Sequence, residues 1–338
     1  MRKTTIRDVA KEAGVSITTV SHSLSGGGVI SQETREHVRK IAAKMQYVPN
    51  LNGKNLKAHS SKNIGLFVNS LRGAYYGELA DAMFEECTKM GYNLNIFLTD
   101  QSMKIMTDIL GGRVDGAVIL NEWVTKENVE ALKSAEIPTV FIDREISGNY
   151  ISSIVFDSYE EGKMAGEYLL SLGHRKIGYV KGFTNNYDNI ERMKGFREAL
   201  AKAGIELPEE YIWEGLFERD KAYESTIEFL DKKEREVPEA IFAANDLSAF
   251  GCIEALQERG YKVPEDVSVM GCDDVQLCDY FSPKLTTIHT SFRNQGIHSI
   301  QKIMDLLQKK DCVGDIEKIS GKIIARDSCR IRNQEVHK

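Results

Sequence analysis

The sequence lacks the long apolar runs of a membrane protein. None of its hydrophobic stretches approaches the roughly 18 residues that a transmembrane helix requires. The N-terminal segment MRKTTIRDVA is basic, but no apolar stretch follows it, so it is not typical of a secretory signal. We therefore expect a cytoplasmic protein.

Cysteine pairs are also missing. The six cysteines include no CxxC pair and no spacing typical of a zinc site. In a cytoplasmic chain, this pattern predicts isolated, reduced thiols. The residues concerned are Cys87, Cys252, Cys272, Cys278, Cys312 and Cys329.

The usual signatures of catalysis are absent as well. The motifs GxGxxG, GxxxxGK(S/T), HExxH and GxSxG do not occur in the matching order of elements. The acidic pair Asp273–Asp274 has no metal partners at a useful spacing. We therefore predict no enzymatic activity, no cofactor and no metal site.

Basic residues are concentrated at one end of the chain. Residues 1–62 carry 11 Lys and Arg against 4 Asp and Glu, a net charge of +7. The remaining residues carry 33 against 46, a net charge of −13. A basic segment on an acidic body indicates a dedicated nucleic-acid-binding module.

The basic segment contains the pattern of three short helices. We predict helices over Ile6–Ala13, from residue 17 to about residue 24, and over Gln32–Met45, with Ser16 and Ser31 as N-caps. Small and branched apolar residues in DVAKEAGVSITTVSHSLSG suit the close crossing of a helix-turn-helix. The spacing alone also fits a plain helical hairpin.

Four residues of the second predicted helix suit contact with DNA. They point away from the apolar positions and are small or polar, which fits base edges and phosphates in a major groove. These residues are Ile17, Thr18, Ser21 and His22.

From residue 64 the pattern changes to short apolar strands alternating with helices. This alternation predicts parallel sheets with helices on both faces, and the number of strands favours two doubly wound lobes. The predicted strands are 64–68, 94–98, 116–120, 138–142, 153–156, 176–180, 240–244, 267–271 and 286–290, and the helices include 78–90, 159–172, 192–203 and 247–259.

Polar side chains follow several predicted strands directly. Open α/β sheets bind ligands beyond the carboxyl ends of their strands, so these side chains predict a site for a polyhydroxyl ligand. Each could instead cap a helix, which is the interpretation we favour for Asp246 and Asp274. The full set is Asn69, Asn121, Asp143, Asn245, Asp246, Asp273 and Asp274.

Motifs along nearly the whole chain resemble the LacI/GalR (lactose-repressor) family of bacterial transcriptional regulators. They are TIRDVAKEAGVSITTVSHSLSG, TREHVRKIAAKMQYVPN, DGAVI, LGHRKIGYVKG, RMKGFREAL, FAANDLSAFG, EDVSVMGCDD and PKLTTI, in the family's order. The segments TTVSH and AYYGEL are locally most similar to the purine-responsive branch.

The resemblance implies an α/β fold with an all-α helix-turn-helix headpiece and a two-lobed body like type I periplasmic binding proteins. The expected regions are a DNA-binding domain at 1–49, a hinge helix and linker at 50–62, and an effector-binding body at 63–338. Within the body, lobe 1 is expected at about 63–157 and 291–320, and lobe 2 at about 158–290 and 321–330.

For the headpiece, the resemblance implies that Ile17, Thr18 and His22 touch bases in the major groove. It further implies a hinge helix that folds on operator DNA and a leucine, Leu56, inserted between base steps of the minor groove. Gly53 departs from the family's usual hinge and predicts a weaker helix, which we expect to be disordered without DNA. The remaining implied DNA-binding residues are Thr5, Ser21, Asn50 and Lys54.

For the body, the resemblance implies a cleft between the lobes in which Asp143, Arg192, Asn245 and Asp273 bind an effector. Tyr76 and Phe217 would form aromatic walls, although packing in the core explains either residue equally well. Trp123 is expected to border the cleft, and Asp157 is expected either at the cleft edge or in a structural role.

The resemblance also implies a repressor that binds a palindromic operator as a homodimer. The C-terminal tail SCRIRNQEVHK has no leucine heptads, so no tetramer is expected. The effector would be a sugar or sugar derivative; a purine, a nucleoside or a protein corepressor is the alternative. Nucleoid association would follow DNA binding in the cytoplasm.

Overall fold

The computed structural model describes residues 4–48, 60–142, 144–232, 236–308 and 312–332. The chain divides into two compact units, Met1–Ser61 and Lys62–Lys338. We call them the N-terminal unit and the body. Within the described residues, no helix is long and apolar enough to cross a membrane.

The N-terminal unit contains three helices: α1 (Ile6–Ala13), α2 (Ile17–Ser25) and α3 (Gln32–Lys44). Each begins at a hydroxyl residue whose side chain accepts a backbone N–H from the first turn, which satisfies one of the unpaired donors there. These N-caps are Thr5, Ser16 and Ser31. The two caps predicted from the sequence, Ser16 and Ser31, are confirmed.

Small side chains form the core of the N-terminal unit. The centre consists of valines and alanines, which let the three helices approach closely. Larger apolar residues such as Ile6 and Tyr47 close the edges. The buried set is Val9, Ala10, Ala13, Val20, Val38 and Ala42.

Lobe 1 of the body is built on a parallel sheet of six described strands, in the order β11-β5-β4-β3-β1-β2. The strands are β1 (Asn63–Val68), β2 (Asn93–Leu98), β3 (Gly116–Leu120), β4 (Thr139–Phe141), β5 (Ile151–Phe156) and β11 (Ile316–Ile319).

Helices cover both faces of the lobe 1 sheet because alternate strand residues point to opposite sides. Leu66 packs in the same core as α4 (Ala74–Lys89) and α11 (Phe292–Gln308). Its neighbour Phe67 packs in the core of α5 (Ser102–Leu110) and α6 (Lys126–Ser134).

Lobe 2 has the same doubly wound arrangement. Its parallel sheet has the order β7-β6-β8-β9 in the described residues. Helices α9 and α10 pack on one face, and α7 and α8 pack on the other. The elements are α7 (Ser158–Ser171), β6 (Ile177–Lys181), α8 (Tyr187–Lys202), β7 (Ile212–Glu214), α9 (Arg219–Leu230), β8 (Ala240–Ala243), α10 (Asp246–Glu258) and β9 (Ser268–Met270).

The chain passes between the lobes at three places within the described residues. It leaves lobe 1 between β5 and α7, and returns between β10 (Thr287–His289) and α11. It leaves again between β11 and β12 (Lys322–Ile324). The strands β10 and β12 pair antiparallel beside the lobe 2 sheet.

The predicted fold class is confirmed: three N-terminal helices precede two doubly wound lobes. The sequence analysis missed the strands β7, β11 and β12, which are short, and among the helices it did not name α5, α6, α9 and α11. It also placed the start of α4 and of α8 several residues too late. All six cysteines are free thiols, as predicted.

Candidate DNA-binding surface and effector site

Helix α2 presents a polar surface on the side away from the core of the N-terminal unit. Val20 and Ser23 are buried on the inner side, whereas Ile17 is 45% exposed and Thr18 and Ser21 are also exposed. His22 is partly buried at the end of this surface. The four residues of α2 that are predicted to touch DNA therefore share one face of the helix, which we call the reading face.

Thr5 has a structural partner already. Its backbone N–H donates to Oδ2 of Asp8 at 2.9 Å, and the backbone N–H of Asp8 donates back to Thr5 Oγ1 at 3.4 Å. This capping box fixes the start of α1. Thr5 is nevertheless exposed, and its predicted contact with DNA stays a prediction.

The predicted hinge lies outside the described residues. This applies to Asn50, Lys54 and Leu56, and to the expected weakness of the helix around Gly53. Asp143, predicted to bind the effector, lies outside them too.

Three of the predicted effector residues lie at one edge of the lobe 2 sheet. Phe217, Asn245 and Asp273 follow β7, β8 and β9, and these strands are all parallel to β6. Their carboxyl ends therefore meet at the edge where open α/β sheets bind ligands.

Asn245 connects two of these strand ends. Its Oδ1 accepts the backbone N–H of Ser248 at 3.0 Å, so it is the N-cap of α10. Its Nδ2 donates to the carbonyl of Phe217 at 3.1 Å. The Phe217 ring lies edge-on to Phe183 with centroids 6.0 Å apart and is partly buried against the lobe 2 core.

Arg192 reaches the same edge from α8, and it is almost completely buried. Its Nη1 donates to the carbonyl of Ala244 at 2.8 Å, at the end of β8. Its Nη2 donates to Oε2 of Glu161 on α7 at 2.8 Å. The Nε–H has no protein partner among the described residues.

A close crossing of α7 and α8 brings these two side chains together. A Cβ on Gly162 would lie 1.8 Å from the carbonyl oxygen of Arg192, and one on Gly195 would lie 1.9 Å from that of Tyr159. Only glycine leaves room for this approach at both positions. The ion pair between Arg192 and Glu161 therefore depends on Gly162 and Gly195, which allow the two helices to approach but do not contribute to the pair itself.

Glu161 is a fully buried carboxylate that the sequence analysis missed. Burial raises its pKa, and the charge of Arg192 opposes that change. Its Oε1 has no protein partner in the described part of the chain. The sequence analysis also missed Ser158 and Asp188, which lie near Arg192. The Ser158 hydroxyl is 3.5 Å from Nη2 of Arg192 and donates to Oδ1 of Asp188 at 2.7 Å.

Asp273 lies in a negative and poorly solvated setting. Burial and the charge of Asp246 raise its pKa well above the usual range, and Arg192 opposes this. Its backbone has φ of 127°, and that of Asp274 has φ of 64°, both unusual for residues other than glycine. The turn is held in part by the Asp273 N–H, which donates to the Ile288 carbonyl at 2.8 Å.

The helix-capping interpretation of Asp246 and Asp274 is wrong. Asp246 is fully buried, and its carboxylate accepts from Val275 N and from the Thr287 hydroxyl, at 2.9 and 2.5 Å. Asp274 instead pairs with Arg326 at 2.7 Å. Both carboxylates therefore tie the loop after β9 to residues distant in sequence.

In lobe 1, the residues predicted to line the effector site are more scattered than those of lobe 2. Tyr76 is partly buried on α4 and lies edge-on to Tyr75, with centroids 5.2 Å apart. Burial and the charge of Glu122, beyond the end of β3, raise its pKa. Asn121 is buried and donates to the Thr99 carbonyl at 2.8 Å, so its amide stabilises the strand ends themselves.

Two cleft-edge predictions and one missed contact complete the site. Trp123 is 50% exposed, and Asp157 is partly buried where the chain first crosses between the lobes. Tyr187 of lobe 2 donates to Oε1 of Glu145 of lobe 1 at 2.6 Å. Lys318 also pairs with Glu145, at 2.8 Å, so this carboxylate joins the lobes.

The arrangement offers buried hydrogen-bonding groups. It contains an arginine, an amide and several carboxylates, which can orient a polar ligand. Within the described ranges, no group of three or more His, Cys, Asp and Glu residues could hold a metal ion.

Comparisons with known proteins agree with the division of the chain into an N-terminal unit and a body. The family model "Bacterial regulatory proteins, lacI family" matches residues 5–50, and "Periplasmic binding protein-like domain" matches residues 167–329. The HTH-type transcriptional repressor PurR of Vibrio atlanticus (strain LGP32) is 33% identical over 334 residues, which are 97% of this chain and 99% of the relative.

Two solved structures extend the comparison to the fold. The Lac repressor dimer bound to operator and the anti-inducer ONPF aligns with a TM-score of 0.84 and 26% identity, over 97% of this chain and 100% of that chain. A LacI family regulator from Enterococcus faecium with bound ribose aligns with a TM-score of 0.72 and 27% identity, over 80% of this chain and 100% of that chain. Because similarity to a repressor spans almost the whole sequence, the chain belongs to the LacI family of bacterial regulatory proteins and is a DNA-binding transcriptional regulator, not an enzyme.

Proposed function

We propose that the chain represses transcription by binding a palindromic operator as a homodimer. The observation that carries this proposal is the reading face: Ile17, Thr18 and Ser21 are exposed on a capped helix inside a compact basic segment. Such a helix presents base-contacting side chains to a major groove. The proposed regions are 1–49 for reading, 50–62 for the hinge and 63–338 for the body.

Exposed apolar residues on lobe 1 support the homodimer. Phe84 on α4 is 59% exposed, and Leu98 on β2 is 56% exposed. Met103 on α5 is 81% exposed, and β2 is one of the two edge strands of the sheet as described. A second copy on these residues would remove apolar surface from water, and twofold symmetry matches an inverted-repeat operator.

A small molecule bound between the lobes would control operator affinity, with a sugar or sugar derivative as the first candidate. The ribose complex of the Enterococcus faecium regulator supports this, since it shares the body's fold. Arg192, Asn245 and Asp273 would make the polar contacts, together with Asp143, and Tyr76 and Phe217 would form the apolar walls. The coupling free energy between the two sites would be about 1–3 kcal/mol.

A purine or nucleoside is the second candidate effector. Local similarity to the purine-responsive branch in TTVSH and AYYGEL favours it, as does the 33% identity to PurR. A protein corepressor is the remaining alternative. The regulator would act in the cytoplasm and associate with the nucleoid when bound to DNA.

Three measurements on the full chain test this function. Selection from a random duplex pool should enrich an inverted repeat, and mass photometry on the enriched duplex should show two chains bound. Enrichment of no sequence would contradict sequence-specific repression. A thermal-shift screen with sugars, sugar phosphates, nucleosides and purines identifies the effector, because a ligand at 100 times its Kd adds about 2.7 kcal/mol of stability.

A further inference from the structure

The loop after α2 lies directly against the ring of His22. This loop contains Gly26, Gly27 and Gly28. A Cβ on Gly28 would lie 2.9 Å from Cγ and 3.0 Å from Nδ1 of His22, closer than side chains pack. A Cβ on Gly27 would lie 3.5 Å from the same Nδ1. The His22 side chain thus occupies the space that a side chain at position 28 would need.

Helix α3 holds the loop in this position. Nη2 of Arg35 donates to the carbonyl of Gly28 at 3.0 Å and to that of Gly27 at 3.3 Å. Arg35 is anchored near the start of α3, and Val38 of the same helix is in the core. The glycines have no side chains that could hold the loop in place, so the guanidinium of Arg35 fixes it through these two carbonyls.

Contact with the loop restricts the His22 ring. A histidine side chain has two rotatable bonds, and a ring free in solvent would sample several rotamers. A hydrogen bond to a base edge requires a narrow range of distance and angle. A ring that is already confined loses less conformational entropy on binding and favours one base geometry over others.

We propose that Gly28 and Arg35 are positioning residues that orient the His22 ring and thereby set the base preference at one position of the operator half-site. The proposal rests on the proposed function, because it requires that His22 meets a base. Beyond that function, the proposal states that the base preference depends on having glycine at position 28 and on the guanidinium of Arg35, which fixes the loop.

A plain flexible connection between α2 and α3 is the competing explanation, and Gly26 provides the matched control. Gly26 and Gly28 both have positive φ, 82° and 70°, so alanine strains the backbone at either position. A Cβ on Gly26 meets nothing within 4 Å, whereas one on Gly28 meets His22. Comparing Gly28→Ala with Gly26→Ala therefore separates displacement of the ring from backbone strain.

The experiment selects binding sites from a random duplex pool with the full wild-type chain, His22→Ala, Gly28→Ala and Gly26→Ala. The base position whose preference disappears in His22→Ala is the one contacted by His22. At that position, we expect Gly28→Ala to reduce discrimination by about tenfold or more. Gly26→Ala should retain the wild-type preference, and Gly28→Ala added to His22→Ala should change the preference no further.

Arg35 has a matched control on its own helix. Arg39 is exposed, and in the described part of the N-terminal unit the hydrogen bonds to the carbonyls of Gly27 and Gly28 come from Arg35. Arg35→Gln and Arg39→Gln therefore remove the same charge, but only the first removes these hydrogen bonds. Both should weaken binding to all DNA sequences through lost phosphate attraction. Only Arg35→Gln should also reduce discrimination at the His22 position, and it tests the proposal even if Gly28→Ala does not fold.

Distinct outcomes separate this proposal from the function on which it rests. If the wild-type chain enriches no sequence, the proposed function fails. If it enriches an operator and His22→Ala loses one base preference, then unchanged preference in both Gly28→Ala and Arg35→Gln overturns the positioning role. The positioning role is also overturned if Gly26→Ala loses as much discrimination at the His22 position as Gly28→Ala does, and Arg39→Gln loses as much as Arg35→Gln.

Discussion

The guanidinium of Arg192 and the carboxylate of Glu161 form an ion pair, 2.8 Å from Nη2 to Oε2, in which both side chains are almost completely removed from solvent. Removing one partner of such a pair leaves an uncompensated buried charge, which is far more costly than losing a surface ion pair. The residue predicted to bind the effector therefore also stabilises the fold of lobe 2.

Arg192→Ala should lower the free energy of unfolding of the full chain by about 3–5 kcal/mol, because Glu161 is left buried without its partner. The double variant Arg192→Met and Glu161→Gln should recover a large part of this loss, since it leaves no unpaired charge. Urea unfolding, monitored by circular dichroism, measures the free energy of unfolding of both variants. A loss below about 1 kcal/mol in the single variant would contradict the importance of the pair.

The same double variant should separate ligand binding from folding. We expect it to bind the selected operator like the wild-type chain while losing the thermal shift produced by the identified effector. The reason is that no guanidinium remains at the end of β8. Loss of operator binding without effector present would count against an effector role for Arg192.

Asp273→Asn should stabilise the full chain increasingly as the pH rises. The pKa of Asp273 is raised in the folded state, so the native protein binds more protons than the unfolded chain and loses stability as pH rises from about 4 through the folded pKa. Asparagine does not titrate, and the variant's advantage should grow by up to about 1.4 kcal/mol per pH unit in that window.

Thermal unfolding at several pH values from 5 to 8 measures this difference. Asp305→Asn is the control, because Asp305 is an exposed aspartate on α11. A constant difference between Asp273→Asn and wild type across this range would show that the carboxyl does not titrate in it.

His22→Ala should lose more affinity for the selected operator than for random DNA. A base contact contributes to specific binding alone, whereas phosphate attraction contributes to both. We expect a loss of roughly 1–3 kcal/mol on the operator and little change in the salt dependence. His37→Ala on α3 is the control, since His37 is exposed and lies outside the reading face. Equal losses on both DNAs would refute a base contact.

Local patterns were sufficient to predict the types and order of many elements. Ser16 and Ser31 mark helix starts because their hydroxyls accept backbone N–H groups, and that chemistry is local. Runs such as 64–68 and 116–120 are buried on both faces, so their continuous apolar character predicts parallel strands. The missed β7 and β12 have three residues each, too few to show a period.

The predicted effector residues illustrate the limit of such reasoning. Parallel pairing through β6 brings the carboxyl ends of β7, β8 and β9 to one edge, as the positions of Asn245 and Asp273 after predicted strands suggested. Phe217 lies at the same edge, but β7 was missed and only the family resemblance pointed to this residue. No pattern indicated that Asp246 would accept from Thr287, 41 residues away, in place of a capping role. A carboxylate directly after a strand has the same local sequence in either case.

The sequence by itself determined the division into a basic helical segment and an acidic α/β body, because charge and hydrophobic periodicity are properties of the chain alone. It also determined which helix carries the reading face. Only the tertiary structure decided that Glu161 would pair with Arg192, 31 residues away, and that a glycine loop would confine His22. These contacts require close approach of separate segments, and that distance is set by packing.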